Sequence, residues 1–227
     1  MTSPTSEAIT PTSQTLRAKP LKIVVAGGFA AGKTTFVDAI SEITPLTTEA
    51  PMTDRSLGVD DAGAVTTKTT TTVAMDFGRL TLSERSILYL FGTPGQDRFG
   101  FMWDDIAIGA LGAVVLVDTR RIEDAFPAID YFERLGMPFV VALNRFDGRQ
   151  PHALDAVRQA LDVDADAPIF ECDAREKESV KVVVLTLLDV VLQRAMARAG
   201  RRPSRASDAA GAAVVMALSD LAVASLG

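Results

Sequence analysis

The residues with the most specific chemistry are Gly27-Gly28-Phe29-Ala30-Ala31-Gly32-Lys33-Thr34, a G-x-x-x-x-G-K-[ST] pattern. Glycines at its two ends let the backbone curl so that successive N–H groups aim at phosphate oxygens, beside the positive end of a following helix. Gly27, Phe29, Ala30, Ala31 and Gly32 supply this cradle, with Thr35 behind it. Lys33 then brings its ammonium between the β- and γ-phosphates, and the Thr34 hydroxyl is a ligand for Mg²⁺. The alternative is an unliganded Gly-rich turn between strand and helix. A phosphate cradle by itself fits kinases, ATPases and GTPases alike.

Asn144-Arg145-Phe146-Asp147 ends a strongly apolar run, where an open α/β sheet builds its ligand loops. A carboxylate at Asp147 can accept from both the N1–H and the exocyclic amine of guanine, a donor pair that adenine lacks. Asn144 would tie this loop to the phosphate loop, and the stem of Arg145 would cover one face of the base. The competing reading is a turn and N-cap cluster. Asp173-Ala174-Arg175 follows the next run, where a backbone N–H, best that of Ala174, reaches the guanine O6.

Phe91-Gly92-Thr93-Pro94-Gly95-Gln96 offers a second set of groups. Gly95 can turn its N–H onto a γ-phosphate, and Gln96 can orient an attacking water. A second hydroxyl for Mg²⁺ is expected from the run Thr69–Thr72, best placed at Thr72 and next at Thr71. Catalysis therefore falls to Gln96 and Lys33, metal binding to Thr34 and Thr72, and the ligands expected are GTP or GDP with Mg²⁺.

These groups need a frame to hold them. Near-continuous apolar runs at Leu21–Ala26, Ser86–Phe91, Ala113–Asp118, Pro138–Asn144 and Pro168–Cys172 read as strands covered on both faces. Helical patterns at 34–43, 122–135, 153–161 and 180–198 fall between them. The alternation predicts a three-layer α/β/α domain with a mostly parallel sheet. One antiparallel hairpin is expected at its edge, from a strand at 71–77 that turns across 78–83. Residues 44–68 fit no regular element and read as a long functional loop.

Three segments follow: a Ser/Thr/Pro-rich flexible arm at 1–20, the α/β domain at 21–199, and a basic linker with an Ala-rich apolar helix at 200–227. That last helix has three destinations open to it: the domain itself, a partner, or a membrane surface. Composition narrows the class. The chain has 227 residues, 48% hydrophobic and 23% charged, which excludes a disordered polymer. Its net charge of −6 is a poor match for nucleic acid. A lone Cys172 allows no internal disulfide and fits a reducing compartment, and no apolar run is long enough to span a membrane. The expectation is a cytoplasmic protein, open to recruitment to a membrane. His152 reads as a solvated helix-start residue, Cys172 as packing, and Trp103 as core or as a patch facing a partner.

In their order, the GKT loop, the Thr ahead of Asp76-Phe77, T-x-G-Q and N-x-x-D resemble small Ras-like P-loop GTPases over residues 21–199. The segments KTTTTVAMDFGRL, LYLFGTPGQDRF, FMWDDIAIGALGAVVLVDTRR and NRFDG are closer still to the actinobacterial conservon (CvnD-like) GTPases, relatives of MglA-type bacterial GTPases. That resemblance implies a GTP/GDP switch working with a roadblock-type (MglB-like) regulator and a sensor-kinase-like protein. The chain departs from the Ras-like pattern in three places. Gly92 stands where an Asp usually binds Mg²⁺ through water, with Asp97 a weak substitute. Phe29 replaces a glycine and should crowd the γ-phosphate, so slow intrinsic hydrolysis is expected, with Arg55 and Arg98 as candidate arginines in cis. Arg145 replaces Lys and keeps both the stem and the charge.

Overall fold

The computed structural model describes residues 18–50, 73–95, 101–146 and 152–199. Seven strands form one sheet in the order β2-β3-β4-β1-β5-β6-β7. They are β1 (Lys19–Gly27), β2 (Leu46–Ala50), β3 (Val73–Ser83), β4 (Ser86–Gly92), β5 (Gly112–Val117), β6 (Phe139–Asn144) and β7 (Ile169–Cys172). The five strands from β4 to β7 across β1 are parallel; β3 alone runs against its neighbours β2 and β4. The helices are α1 (Lys33–Ile40), α2 (Phe101–Ala107), α3 (Phe126–Arg134), α4 (Leu154–Leu161) and α5 (Lys177–Ala199). This is the mostly parallel, three-layer α/β/α fold that the sequence predicts.

Side-chain alternation along the central strands fills both faces. Ile23 and Val25 of β1, with Val114 and Leu116 of β5, join one apolar core under α1 and α5. Val24, Ala26, Val115 and Val117 join a second under α2, α3 and α4. On α5 the buried residues Val180, Val183, Val184, Leu187, Leu188 and Val191 recur at helical spacing, which makes one stripe of the helix apolar. Trp103 is buried in the second core, edge-on to Tyr131 at 5.3 Å between ring centroids, so its place is core packing rather than an exposed patch.

Several elements differ from the sequence reading. Residues 78–83, read as the turn of the hairpin, continue β3, and the chain reverses at Glu84–Arg85 instead. The reason lies in packing. A Cβ at Gly78 would come within 2.6 Å of the Val37 side chain, so this glycine admits the close approach of α1 to the strand. The loop read at 44–68 contains β2, which β3 recruits by backbone pairing from Leu46↔Phe77 to Ala50↔Val73. The helix expected over 122–135 is divided: a 3₁₀ turn at Ile122–Ala125 precedes α3, because Pro127 has no N–H to continue an α-helical ladder from Ile122. Helix α2 was not anticipated, and β1 begins at Lys19, paired with Ser86, inside the segment read as an arm. The rest of that arm, residues 51–72 and the tail from Gly200 lie outside the described residues.

Candidate functional site

At the carboxyl ends of β1, β4 and β6 a cleft of about 430 Å³ opens, lined by the loop between β1 and α1 and by Asp76, Thr93, Gly95 and Phe146. The loop needs unusual backbone. Gly27 has φ +140° and Gly32 has φ +103°, both in the range that favours glycine, and Ala30 takes a left-handed φ of 60°. Side chains are excluded at these glycines for a second reason: a Cβ on Gly27 would collide with the Leu116 carbonyl, and one on Gly32 with the Asn144 amide. Gly32 caps α1 without any side-chain hydrogen bond to the first turn. The helix therefore presents uncapped N–H groups beside the loop, an arrangement suited to an anion.

Lys33 is buried, and its ammonium donates to the carbonyls of Gly27 at 2.9 Å and Gly28 at 2.6 Å. Burial pushes its pKa down to about 8, against the opposing pull of Asp76 and Asp124. Gly95 lies on top of it: a Cβ there would stand 2.5 Å from the ammonium and 2.9 Å from the Phe29 Cα. The strand end that carries Gly95 thus abuts the loop it was expected to sense. Phe29 itself is 60% exposed at the mouth of the cleft. Its carbonyl accepts from Arg121 at 2.6 Å. Arg121 also pairs with Asp124 at 3.5 Å, so the segment after β5 braces the outer side of the loop.

Thr34 Oγ1 donates to Asp76 Oδ2 at 2.9 Å. Asp76 is buried on β3, and the place its side chain occupies lies over Gly92. Nearby, the Thr93 hydroxyl lines the cleft and is buried with no hydrogen-bond partner among the described residues. These are hard oxygen donors, and an unsatisfied buried hydroxyl is costly unless a ligand or its water completes it. The donor set fits a hydrated Mg²⁺. Among the described residues no cluster of three or more His, Cys, Asp or Glu is present.

Asn144 joins two loops. Its Nδ2 donates to the Ala31 carbonyl at 3.0 Å, and its Oδ1 accepts from the Ala174 N–H at 3.1 Å. The sequence reading assigned that N–H to a guanine O6; here Asn144 holds it, because both groups are buried and neither can be left unpaired. Asp173 is likewise engaged, accepting from the Arg175 guanidinium at 2.9 and 2.7 Å, which holds its carboxyl down at about 2. Arg145 reaches toward Glu171, 3.7 Å away. Beside it, Phe146 lies under the Arg120 guanidinium at 4.1 Å, and Asp118 fixes that guanidinium with two hydrogen bonds.

The fold therefore brings together Gly27, Phe29, Ala30, Ala31, Gly32, Lys33, Thr34, Thr35, Gly95, Asn144 and Ala174, with Arg145 and the Asp173–Arg175 pair at one end. Thr72, Gln96 and Asp147, as well as Arg55, Asp97 and Arg98, lie outside the described residues. Sequence reasoning missed Asp76, Phe146, Arg121 and Asp124 as neighbours of the loop. For Asp76 a partial signal existed, a charged residue inside a β-strand pattern; its place opposite Gly92 follows only from the strand register.

Residues 25–194 match a family model described as "Conserved hypothetical ATP binding protein". A curated relative, the uncharacterized protein MJ1339 of Methanocaldococcus jannaschii, is 29% identical over 134 residues, which cover 58% of this chain and 74% of that protein. Among solved structures, the G domain of the T. maritima FeoB iron transporter is similar with a TM-score of 0.53 at 14% identity, over 76% of this chain and 99% of that one. The cytosolic domain of L. pneumophila FeoB gives a TM-score of 0.53 at 16% identity, over 90% of this chain and 92% of that one. An S. thermophilus NFeoB mutant bound to GDP gives 0.52 at 18% identity, over 75% and 61% of the two chains. At such identities the likeness is one of fold, that of a P-loop G domain.

Proposed function

This chain belongs to the family of conserved hypothetical ATP binding proteins, and on that premise we propose that it is a guanine-nucleotide switch that hydrolyses GTP to GDP slowly. The observation that carries the reading is the Asn144 bracket: one amide bonded to the phosphate loop and to the turn after β7 starts an N-x-x-D segment at the edge of the cleft. Asp147 then supplies the carboxylate that separates guanine from adenine. The similar NFeoB fold, which binds GDP, supports the same choice.

In this reading Lys33 and the uncapped N–H groups of α1 hold the phosphates, Thr34 with Thr72 holds Mg²⁺, and Gln96 orients water. Bound Mg²⁺ would neutralise charge developing on the β- and γ-phosphates. The Phe29 ring at the cleft mouth would obstruct an arginine inserted from outside, hence the slow rate expected. The output would be a rearrangement of residues 44–72 and 92–104 read by a partner. The resemblance to conservon and MglA-type GTPases suggests that this partner is a roadblock-type regulator, with a sensor-kinase-like protein beyond it; recruitment to a membrane would run through such partners or through residues 200–227. Among the described residues no helix is long and apolar enough to cross a membrane.

The family's description favours a second reading, an ATP-binding protein. Nucleotide extracted from purified protein, followed by competition of ATP against GTP, separates the two. The proposal expects guanine nucleotide and a loss of its preference over adenine of at least about tenfold, or ~1.4 kcal/mol, in Asp147→Ala. Unchanged selectivity in that variant sinks it. Single-turnover hydrolysis without a partner should stay well below about 1 s⁻¹.

A further inference from the structure

We infer that the apolar stretch at residues 209–226 docks on its own domain, in a groove at the far end of the sheet from the nucleotide cleft, held partly by charge on Arg194 and Arg198. The inference goes beyond the nucleotide reading and stands whichever purine the cleft takes.

The groove lies where β5 and β6 begin, whereas the nucleotide cleft lies where strands end. It holds about 460 Å³ between the approach to β5, the turn from α3 into β6 and the last turns of α5. Leu111, Leu135, Met137 and Val191 supply its apolar lining, with Arg194 and Arg198 beside them. Leu135 is 48% exposed there. Ile108, on the same approach to β5, and Met196, within the same turns of α5, are more exposed still. Hydrophobic side chains scattered singly need no explanation, but apolar surface gathered at one place marks a surface that something covers.

Three observations point to the occupant. The first is continuity. Helix α5 ends at Ala199, one residue beyond Arg198 of the groove, so the chain that follows starts at its edge. Pro203 lacks the N–H that would extend a helix, and residues 200–207 span up to about 28 Å when extended, enough to turn back across the groove. The second is side-chain chemistry. Residues 209–226 hold a single charged side chain, Asp220, and Val214, Leu218 and Leu221 recur at helical spacing. The third is charge. Arg194 and Arg198 lie four residues apart on one face of α5, exposed, and their guanidinium groups have no ion pair or hydrogen bond among the described residues. Residues 206–227 carry Asp208 and Asp220 and no Lys or Arg, so the segment is opposite in charge to the groove it meets. A tethered segment also meets the groove at an effective concentration of about millimolar, well above that of a second copy in dilute solution. Held there, the segment is withheld from a membrane, and recruitment through residues 200–227 would require its release.

The test uses the full chain with pairs of introduced cysteines and a short bismaleimide. Cys172 is buried and stays unreactive. Leu135→Cys puts a thiol in the groove, and Val214→Cys, Leu218→Cys or Leu221→Cys puts one on the segment. Val182→Cys is the control, exposed on α5 about 18 Å along the helix from Arg194. The tether alone gives both sites similar access, so docking should make crosslinking within one chain at least about tenfold faster from Leu135 than from Val182 for one or more segment positions. Arg194→Glu with Arg198→Glu should lower that ratio by at least about threefold, the scale of two exposed ion pairs. Equal rates from the two sites, or a ratio unmoved by the charge reversal, overturn the inference. A product joining two chains overturns it in favour of a second copy. Absence of any Leu135 product also overturns it, and flotation of the full chain on anionic vesicles would then identify a membrane as the segment's destination.

Discussion

Lys33 is the residue on which pH should act. Its ammonium is buried, and burial lowers its pKa to about 8. Bound phosphate favours the charged form and raises that value, so binding takes up a proton above about pH 8. Nucleotide affinity should be flat below pH 8 and fall above it, by up to about tenfold per unit, as measured by calorimetry across pH 7–10. In Lys33→Arg, whose guanidinium stays charged, the slope should vanish. The stability of the free protein should move the other way. The unfolded chain binds this proton up to the ordinary lysine value and the folded one only to about 8, so Lys33's contribution makes folding more favourable as pH rises between the two. Opposite signs for binding and for folding separate this residue from a general alkaline effect.

At the scale of elements, the site is a set of loops fastened to one another. The Asn144 side chain at the end of β6 holds the loop before α1 through Ala31 and the turn after β7 through Ala174. Truncation in Asn144→Ala leaves a carbonyl and an N–H unpaired, and both belong to buried residues. That should cost about 2–4 kcal/mol in denaturant unfolding, since each orphaned group costs ~1–3 kcal/mol. Asn144→Asp keeps an acceptor for Ala174 but turns a second acceptor on the Ala31 carbonyl, so it should rescue little. A mild loss in Asn144→Ala would mean that water replaces both bonds. The segment after β5 has a similar fastening role, with Arg121 on the Phe29 carbonyl and Arg120 over Phe146.

The whole molecule makes these loops depend on two cores either side of one sheet. Leu187 is fully buried in the core that joins α5 to α1 and the sheet. Leu187→Ala should lose about 2–5 kcal/mol, the range for deleting a large buried aliphatic side chain. Because α1 both packs on this core and starts at the phosphate loop, nucleotide binding and far-ultraviolet helicity should disappear in one transition. Added nucleotide should raise the midpoint of that transition, since it binds only the folded chain. Separate transitions would show that the cleft is not tied to the α5 core.

The phosphate loop and the central strands were legible in the sequence because each is determined locally. Glycine spacing fixes a backbone path, and an unbroken apolar run from Ile23 or Ala113 needs cover on both faces wherever it lies. Elements whose existence depends on a neighbour were less legible. Strand β2 is defined by its pairing with β3, and the hairpin turn moved because Gly78 admits α1. Asp76 is the clearest case: sequence shows a carboxylate missing at Gly92 and another present sixteen residues earlier, but only the cross-strand register puts the second where the first would have been. A metal or phosphate site is a matter of distances between side chains far apart in the chain, and pairing and packing decide those distances.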